Sequence, residues 1–236
     1  MKVLVKQIFL MFSIALISTN SLAQSDYPVK TVRLIVPFPP GGTTDIVART
    51  LGQAMSKSLG RQVIIDNRPG ANGVIGAEIA ARSSADGYTA FMTSASILAI
   101  TPHLRTDLGY SVRDFAPASL AVITPNVLVA HPSFPVKNVK ELIALAKSKP
   151  NQISFGSSGV ASIGHIVVEQ IRTVTGAQMI HVPYKGAAPA ESDLFSGHIA
   201  LMATGLVSAM PHVKSGRLRA LAVTTAKRVP ALADLP

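Results

Sequence analysis

The stretch 31–49, TVRLIVPFPPGGTTDIVAR, constrains the fold more than any other. Its residues 32–36 set Val, Leu and Ile around a single Arg33, the composition of a mostly buried strand. Pro37, Pro39 and Pro40 lack amide donors, and Gly41 and Gly42 admit positive φ, so regular structure stops there. Thr43 and Thr44 then offer side chains for a helix cap, and Val47, Ala48, Leu51, Met55 and Leu59 recur at helical spacing. Strand, glycine turn and helix N-terminus in succession aim backbone amides and the positive end of a helix dipole at one place. Such a place favours an anion; the plainer reading is an ordinary strand-to-helix connection.

The first residues have the build of a secretory leader. Lys2 and Lys6 precede the apolar run 8–17, and Ser21 and Ala23 put small residues where a signal peptidase reads. Residues 1–23 are therefore expected to be a signal peptide cleaved after Ala23. A membrane anchor needs about 20 apolar residues, more than this run has. With no cysteine anywhere, a disulfide framework, a thiolate metal site and a cysteine nucleophile are excluded. The 236 residues, 48% of them hydrophobic, suffice for one large or two modest cores. Formal charge is +10, or +8 once Lys2 and Lys6 leave. The basic residues are dispersed and aromatics are 5%, so no nucleic acid is expected as a partner, whereas weak attraction of small anions is.

Beyond the first helix, 62–67 reads as a strand, 68–73 as a turn, and Ile75, Ile79, Ala80 and Arg82 as a helix. A third strand is expected over 88–94, ending in Thr93, Ser94 and Ser96. This β-α-β-α-β order argues for a parallel sheet covered by helices. Further strands are expected at 115–122 and 127–130. Asn138 with Glu141 makes a capping-box-like start for a helix that stops before Pro150. A second α/β unit follows: strand 153–155 into Gly156–Ser158, a helix from Ser162 to Gly176, strand 178–182 into Tyr184–Gly186, and helix 189–195. Strand 199–202, a helix capped by Ser208 and strand 218–223 complete it. Two α/β units with glycine-rich edges suggest a cleft that closes by a hinge on a small molecule. The expected division is lobe 1 over 24–124 plus 224–236 and lobe 2 over 125–223.

Reactive chemistry finds little support. Gly156, Ser157, Ser158, Gly159 and Val160 miss G-x-S-x-G at the second glycine. Gly41-Gly42 lacks the Walker lysine, and Gly70, Gly73 and Gly76 are not spaced as a dinucleotide fingerprint. The histidines are scattered, and His165 with Glu169 reads first as a helix-face hydrogen bond. What remains is hydrogen-bonding capacity: the amides of 41–44, the hydroxyls of Ser94, Ser157 and Ser158, and Tyr184, Lys185 and Gly186 around a carboxylate. Asp45 reads first as favourable charge at a helix N-terminus.

The segments VPFPPGGTTDIVAR, DNRPGANGVIGAEIAA, DGYT, PNVLVAHPSFPVKNVKELIALAK, FGSSG, HVPYKGAAPAESDL and GRLRALAVTTAKR together resemble the Bug-type substrate-binding proteins of tripartite tricarboxylate transporters. The match is ordered and covers nearly all of 24–236. It implies an α/β, two-lobed periplasmic binding protein fold of type II, no catalysis, no cofactor and a small carboxylated ligand. It implies that main-chain groups and water grip the carboxylate, from a loop falling on Phe38, Pro40, Gly41, Gly42, Thr43, Thr44 and Asp45. The facing loop falls on Gly156, Ser157 and Ser158 with Tyr184, Lys185 and Gly186. Docking on a membrane transporter of two integral subunits is also implied. A sensory binding protein of the same fold, or an exported hydrolase or lyase, are the alternatives. Two departures stand out. Relatives carry acids at the places of Ala200 and Thr204, and the loss at Thr204 favours a purely carboxylated ligand over an amino acid. Relatives also continue past 236, so the first lobe is expected to be truncated.

Overall fold

The computed structural model describes residues 27–236; the leader expected at 1–23 lies outside them. The first unit is a parallel sheet in the order β2-β1-β3, formed by β1 (Val32–Val36), β2 (Val63–Asn67) and β3 (Thr89–Phe91). Helix α1 (Thr43–Leu59) packs Ala48 against Val32, Leu34, Val36 and Val63. Helix α2 (Val74–Ala81) packs Val74 and Ala77 with Ile97 and Tyr110 in a separate cluster. The strand expected over 88–94 is shorter, because the chain turns at Ser94, whose carbonyl accepts from the Ile97 amide at 3.1 Å. It continues as a π-turn at Ser96–Ile100 and the short helix α3 (Thr101–Leu104).

The strand expected at 115–122 does not form. Pro117 cannot donate to a ladder, Phe115 stacks on Phe91 with centroids 5.3 Å apart, and Leu120 and Ile123 stay exposed. An apolar run alone does not make a strand without a neighbouring edge to pair with.

The second unit is a five-stranded sheet in the order β6-β5-β7-β4-β8. Its strands are β4 (Asn126–Ala130), β5 (Ser154–Ser157), β6 (Ile180–Pro183), β7 (Leu201–Gly205) and β8 (Arg219–Val223). The sheet is mixed: β4 runs antiparallel to both β7 and β8, while β5 is parallel to β6 and β7. Along β4 side chains alternate between faces. Leu128 and Ala130 join Leu142 of α4 (Val139–Ser148) and Val168 of α5 (Ile163–Thr175). Val127 and Val129 join Leu194 of α6 (Ala187–Phe195) and Ala209 of α7 (Leu206–Lys214). Phe155 is fully buried in the first of these layers, and burying such a side chain contributes about 1.5–3 kcal/mol.

Several helix ends follow their sequence signals. The Asn138 side chain accepts from the Glu141 amide at 2.9 Å, and the Glu141 carboxylate reaches back one residue further, to the Lys137 amide at 2.7 Å. Ser162 caps α5, and Gly176 ends it in the left-handed region. Two expected caps differ. Gly42, not Thr43 or Thr44, precedes α1, and Gly205, not Ser208, precedes α7. Both helices start directly off their loop or strand, and the Thr43 and Ser208 hydroxyls bond each other at 3.3 Å instead.

The crossing segments lie side by side: the Asn126 amide donates to Thr224 Oγ1 at 3.0 Å, and the Thr224 amide donates to the Asn126 carbonyl at 3.0 Å. Within 224–236, Val229 and Leu232 pack against the α6–α7 core.

Candidate functional site

A cavity of about 480 Å³ opens between the two sheets. Its walls come from the carboxyl ends of strands, where α/β proteins hold ligands. Four helices begin on it. Thr43 and Thr44 open α1, Ser162 and Ile163 open α5, Ala187 opens α6, and Gly205 precedes α7, and all of them line the space. First-turn amides have no intrahelical acceptor, and each N-terminus carries roughly half a positive charge. Among the described residues, no Asp, Glu, Lys, Arg or His lines the cavity. The site therefore presents positive potential from the backbone alone. Helix α5 reaches it because Gly164 sits hard against β7: a methyl there would lie 2.2 Å from the Ala203 carbonyl oxygen. An apolar flank of Leu120, Val122 and Ile123 completes the lining.

The loop before α1 is braced from behind. Asp45, 2% exposed, accepts from the Gly41 amide at 3.0 Å, from Arg49 Nε at 2.9 Å and from Asn67 Nδ2 at 2.9 Å. Asn67 also donates to the Phe38 carbonyl at 3.0 Å. Burial alone raises the Asp45 pKa, but these hydrogen bonds and the Arg49 charge outweigh it and hold the carboxyl below its usual range. The Gly41 amide is thus spent on Asp45 rather than free for a ligand.

Of the residues singled out from sequence, Phe38, Gly42, Thr43, Thr44, Ser94, Ser158 and Thr204 line the cavity. Pro40 and Gly41 are exposed beside it, and Asp45 is behind the loop. Gly156 and Ser157 are buried within β5, Lys185 is exposed, and Gly186 faces Pro39. The Tyr184 hydroxyl donates to Asp193 at 2.6 Å, and burial together with that bond pushes its pKa up to about 12.

Sequence reasoning missed Glu191. It lies on α6, 5% exposed, and one oxygen, Oε1, accepts from Thr204 Oγ1 at 2.9 Å and Ser208 Oγ at 2.8 Å. Burial pushes its carboxyl up, opposed by those two hydroxyls and by His212. The only sequence signal is a lone acid in the otherwise small and apolar start of that helix.

The description "tripartite tricarboxylate transporter family receptor" belongs to a family model that matches residues 47–236. The chain belongs to this family, TctC. This TctC chain is 39% identical over 217 residues to protein BugT of Bordetella pertussis, covering 89% of this chain and 67% of BugT. It is 34% identical over 220 residues to a Pseudomonas sp. P51 protein of the tcbD-tcbE intergenic region, covering 93% and 65% respectively. The chain thus spans about two thirds of these relatives' length. Among solved structures, an R. palustris protein with adipate matches at TM-score 0.84 and 40% identity, over 89% of this chain and 71% of that one. Periplasmic binding protein BugD matches at TM-score 0.81 and 35% identity, over 89% and 70%. The two-sheet architecture is that of Bug-type periplasmic binding proteins, a family of substrate-binding receptors.

Near the site, Ser157 Oγ meets His181 Nε2 at 2.6 Å, yet Ser157 is fully buried and serves the turn, accepting from the Gly159 amide at 3.2 Å. The His181 and His165 rings lie tilted with centroids 4.0 Å apart, and His165 lies 3.6 Å from Glu169, which Arg172 also pairs. Burial, then repulsion from His165 and Arg172, takes the His181 pKa down to about 4, against the pull of Glu169. The folded chain thus resists a proton that the unfolded chain accepts near pH 6.5. The stability that His181 contributes is full above pH 6.5 and declines as pH falls toward 4. Urea melts over that range are expected to show the decline, and His181→Gln to flatten it; equal slopes in the two proteins would contradict this.

Proposed function

We propose that this chain is an extracytoplasmic solute-binding protein that captures a small carboxylate, a di- or tricarboxylate or another organic acid, without transforming it. The observation that carries the reading is the convergence of helix N-termini on a cavity that no charged side chain lines among the described residues. Such a site suits an anion held by oriented amides, and its apolar flank suits a short carbon chain. Relatives solved with adipate and with malate support the same class of ligand. In this reading residues 1–23 serve as the leader, and the mature chain works in the periplasm. The loaded form then docks on a membrane transporter of two integral subunits, as the family description suggests. Phe38, Gly42, Thr43, Thr44, Ser94, Ser158 and Thr204 form the contact surface, and lobes near 24–124 and 125–223 close on it.

A thermal-shift screen of organic acids tests this. A ligand at a hundred times its dissociation constant stabilises by about 2.7 kcal/mol, an easily measured rise in melting temperature. No stabilisation by any carboxylate, with the protein folded, would sink the reading.

A further inference from the structure

Glu191 reaches the cavity through other side chains. The carboxyl lies one hydroxyl behind Thr204 and two behind Thr43, both of which line the space. The direction of each hydrogen bond follows from counting protons. Thr204 has one hydroxyl proton, and it goes to Glu191 Oε1 at 2.9 Å. Ser208 has one, committed to Glu191 Oε1 at 2.8 Å or to the Gly205 carbonyl at 3.1 Å. Thr43, 3.3 Å from Ser208 Oγ, must then be the donor to it. Thr204 and Thr43 are therefore left with lone pairs, not protons, to offer the cavity. Because two hydroxyls converge on the single oxygen Oε1, the arrangement holds whether the carboxyl is ionised or carries a proton on its other oxygen.

A ligand carboxylate cannot use these hydroxyls as donors and must rely on the backbone amides. A hydroxyl or ammonium group on the same ligand would find acceptors at Thr204 and Thr43. We propose that Glu191 is a specificity-determining positioning residue, which makes the cleft select organic acids bearing a hydrogen-bond donor besides their carboxylates. This rests on the carboxylate-binding reading above. It runs opposite to the expectation from position 204, because an acid on α6 lies behind Thr204.

The test uses calorimetric titration at one pH with succinate, malate and aspartate, which share a four-carbon dicarboxylate skeleton. Wild type is expected to bind malate and aspartate about tenfold more tightly than succinate, the worth of one hydrogen bond to a strong acceptor. Glu191→Met frees both hydroxyl protons and is expected to bring malate and succinate within about twofold, since the polarity is no longer imposed. Glu191→Gln keeps an oxygen for Thr204 and Ser208. It is expected to restore the malate preference, which a merely packing role for Glu191 would not do. If wild type binds the three acids equally, or Glu191→Met keeps the wild-type ratios, Glu191 has no such role while the carboxylate reading stands. If no organic acid binds at all, the underlying reading falls and this inference with it.

Discussion

Replacing Gly205 by alanine is expected to weaken carboxylate binding by roughly tenfold to a hundredfold, a consequence of overpacking that costs the contact between β7 and α1 about 1–3 kcal/mol. Gly205 stands at the end of β7, where lobe 2 meets the start of α1. A methyl on it would lie 2.1 Å from Thr43 Oγ1 and 2.8 Å from Thr43 Cβ. Rotating Thr43 relieves the first contact but not the second, since its Cβ is fixed to the α1 backbone. The lobes must therefore separate. Gly205 itself has φ −64° and ψ 136°, a conformation any residue adopts, so the fold of each lobe is not strained by the change. Apparent affinity falls by the fraction of molecules still able to close. Calorimetry with whichever acid binds best would read this directly, and the unliganded melting temperature should barely move. A second substitution, Thr43→Gly, removes the offending Cβ, so the two changes together should cost less than the sum of each alone, the coupling expected of touching residues. Affinity within twofold of wild type would mean that the lobes do not meet at Gly205 when ligand is bound.

The elements that were legible in the sequence had local signals at both ends. Helix α5 is the clearest case, bracketed by Ser162 and Gly176 with Val168 on its buried face. The loop before α1 was legible for the same reason, since prolines and glycines restrict what any backbone can do. The cavity-lining residues Gly42, Thr43, Thr44 and Ser158 came from that logic. What stayed hidden depends on distant partners. The antiparallel entry of β4 is set by where the chain crosses, not by the NVLVA sequence. The run 115–122 has strand-like composition, but whether it pairs is decided by neighbouring edges. Ser208 reads as a cap until Glu191, 17 positions away, takes its proton. Glu191 carries no local signal of its burial, which α6 alone creates. Polar networks formed across elements leave almost no trace in local pattern, which is why the acid behind the cavity was found only in three dimensions.

Asp45→Ala is expected to cost about 2–4 kcal/mol, from partners each losing a hydrogen bond worth about 1–3 kcal/mol when left unmade. Its carboxylate gathers the Gly41 amide, Asn67 and Arg49, and so ties the loop to α1 and to the end of β2 at once. Arg49 is half exposed and can turn to water, so little of the loss is assigned to that ion pair. Asn67 is the sharper problem, because its amide also holds the Phe38 carbonyl, and without Asp45 it keeps only that bond and the one its Oδ1 accepts from Arg49 Nη2 at 3.2 Å. Loss of favourable charge in the first turn of α1 adds about 0.3–1 kcal/mol. The damage is confined to the first unit, whose sheet has only three strands. A single unfolding transition should therefore broaden or split, the first unit melting before the five-stranded one. Because the Asp45 pKa is held down, its contribution is fully present above about pH 4 and is lost only as pH falls through the lowered value. The wild-type and variant stabilities should accordingly converge in strong acid. Ligand binding should also suffer, since the amides of Thr43 and Thr44 are aimed by the loop that Asp45 holds. Denaturation followed by two probes, one per unit, distinguishes these outcomes. An Asp45→Ala protein that melts in one sharp step at the wild-type temperature would show that the loop keeps its shape unaided, and that Pro37–Pro40 alone dictate it.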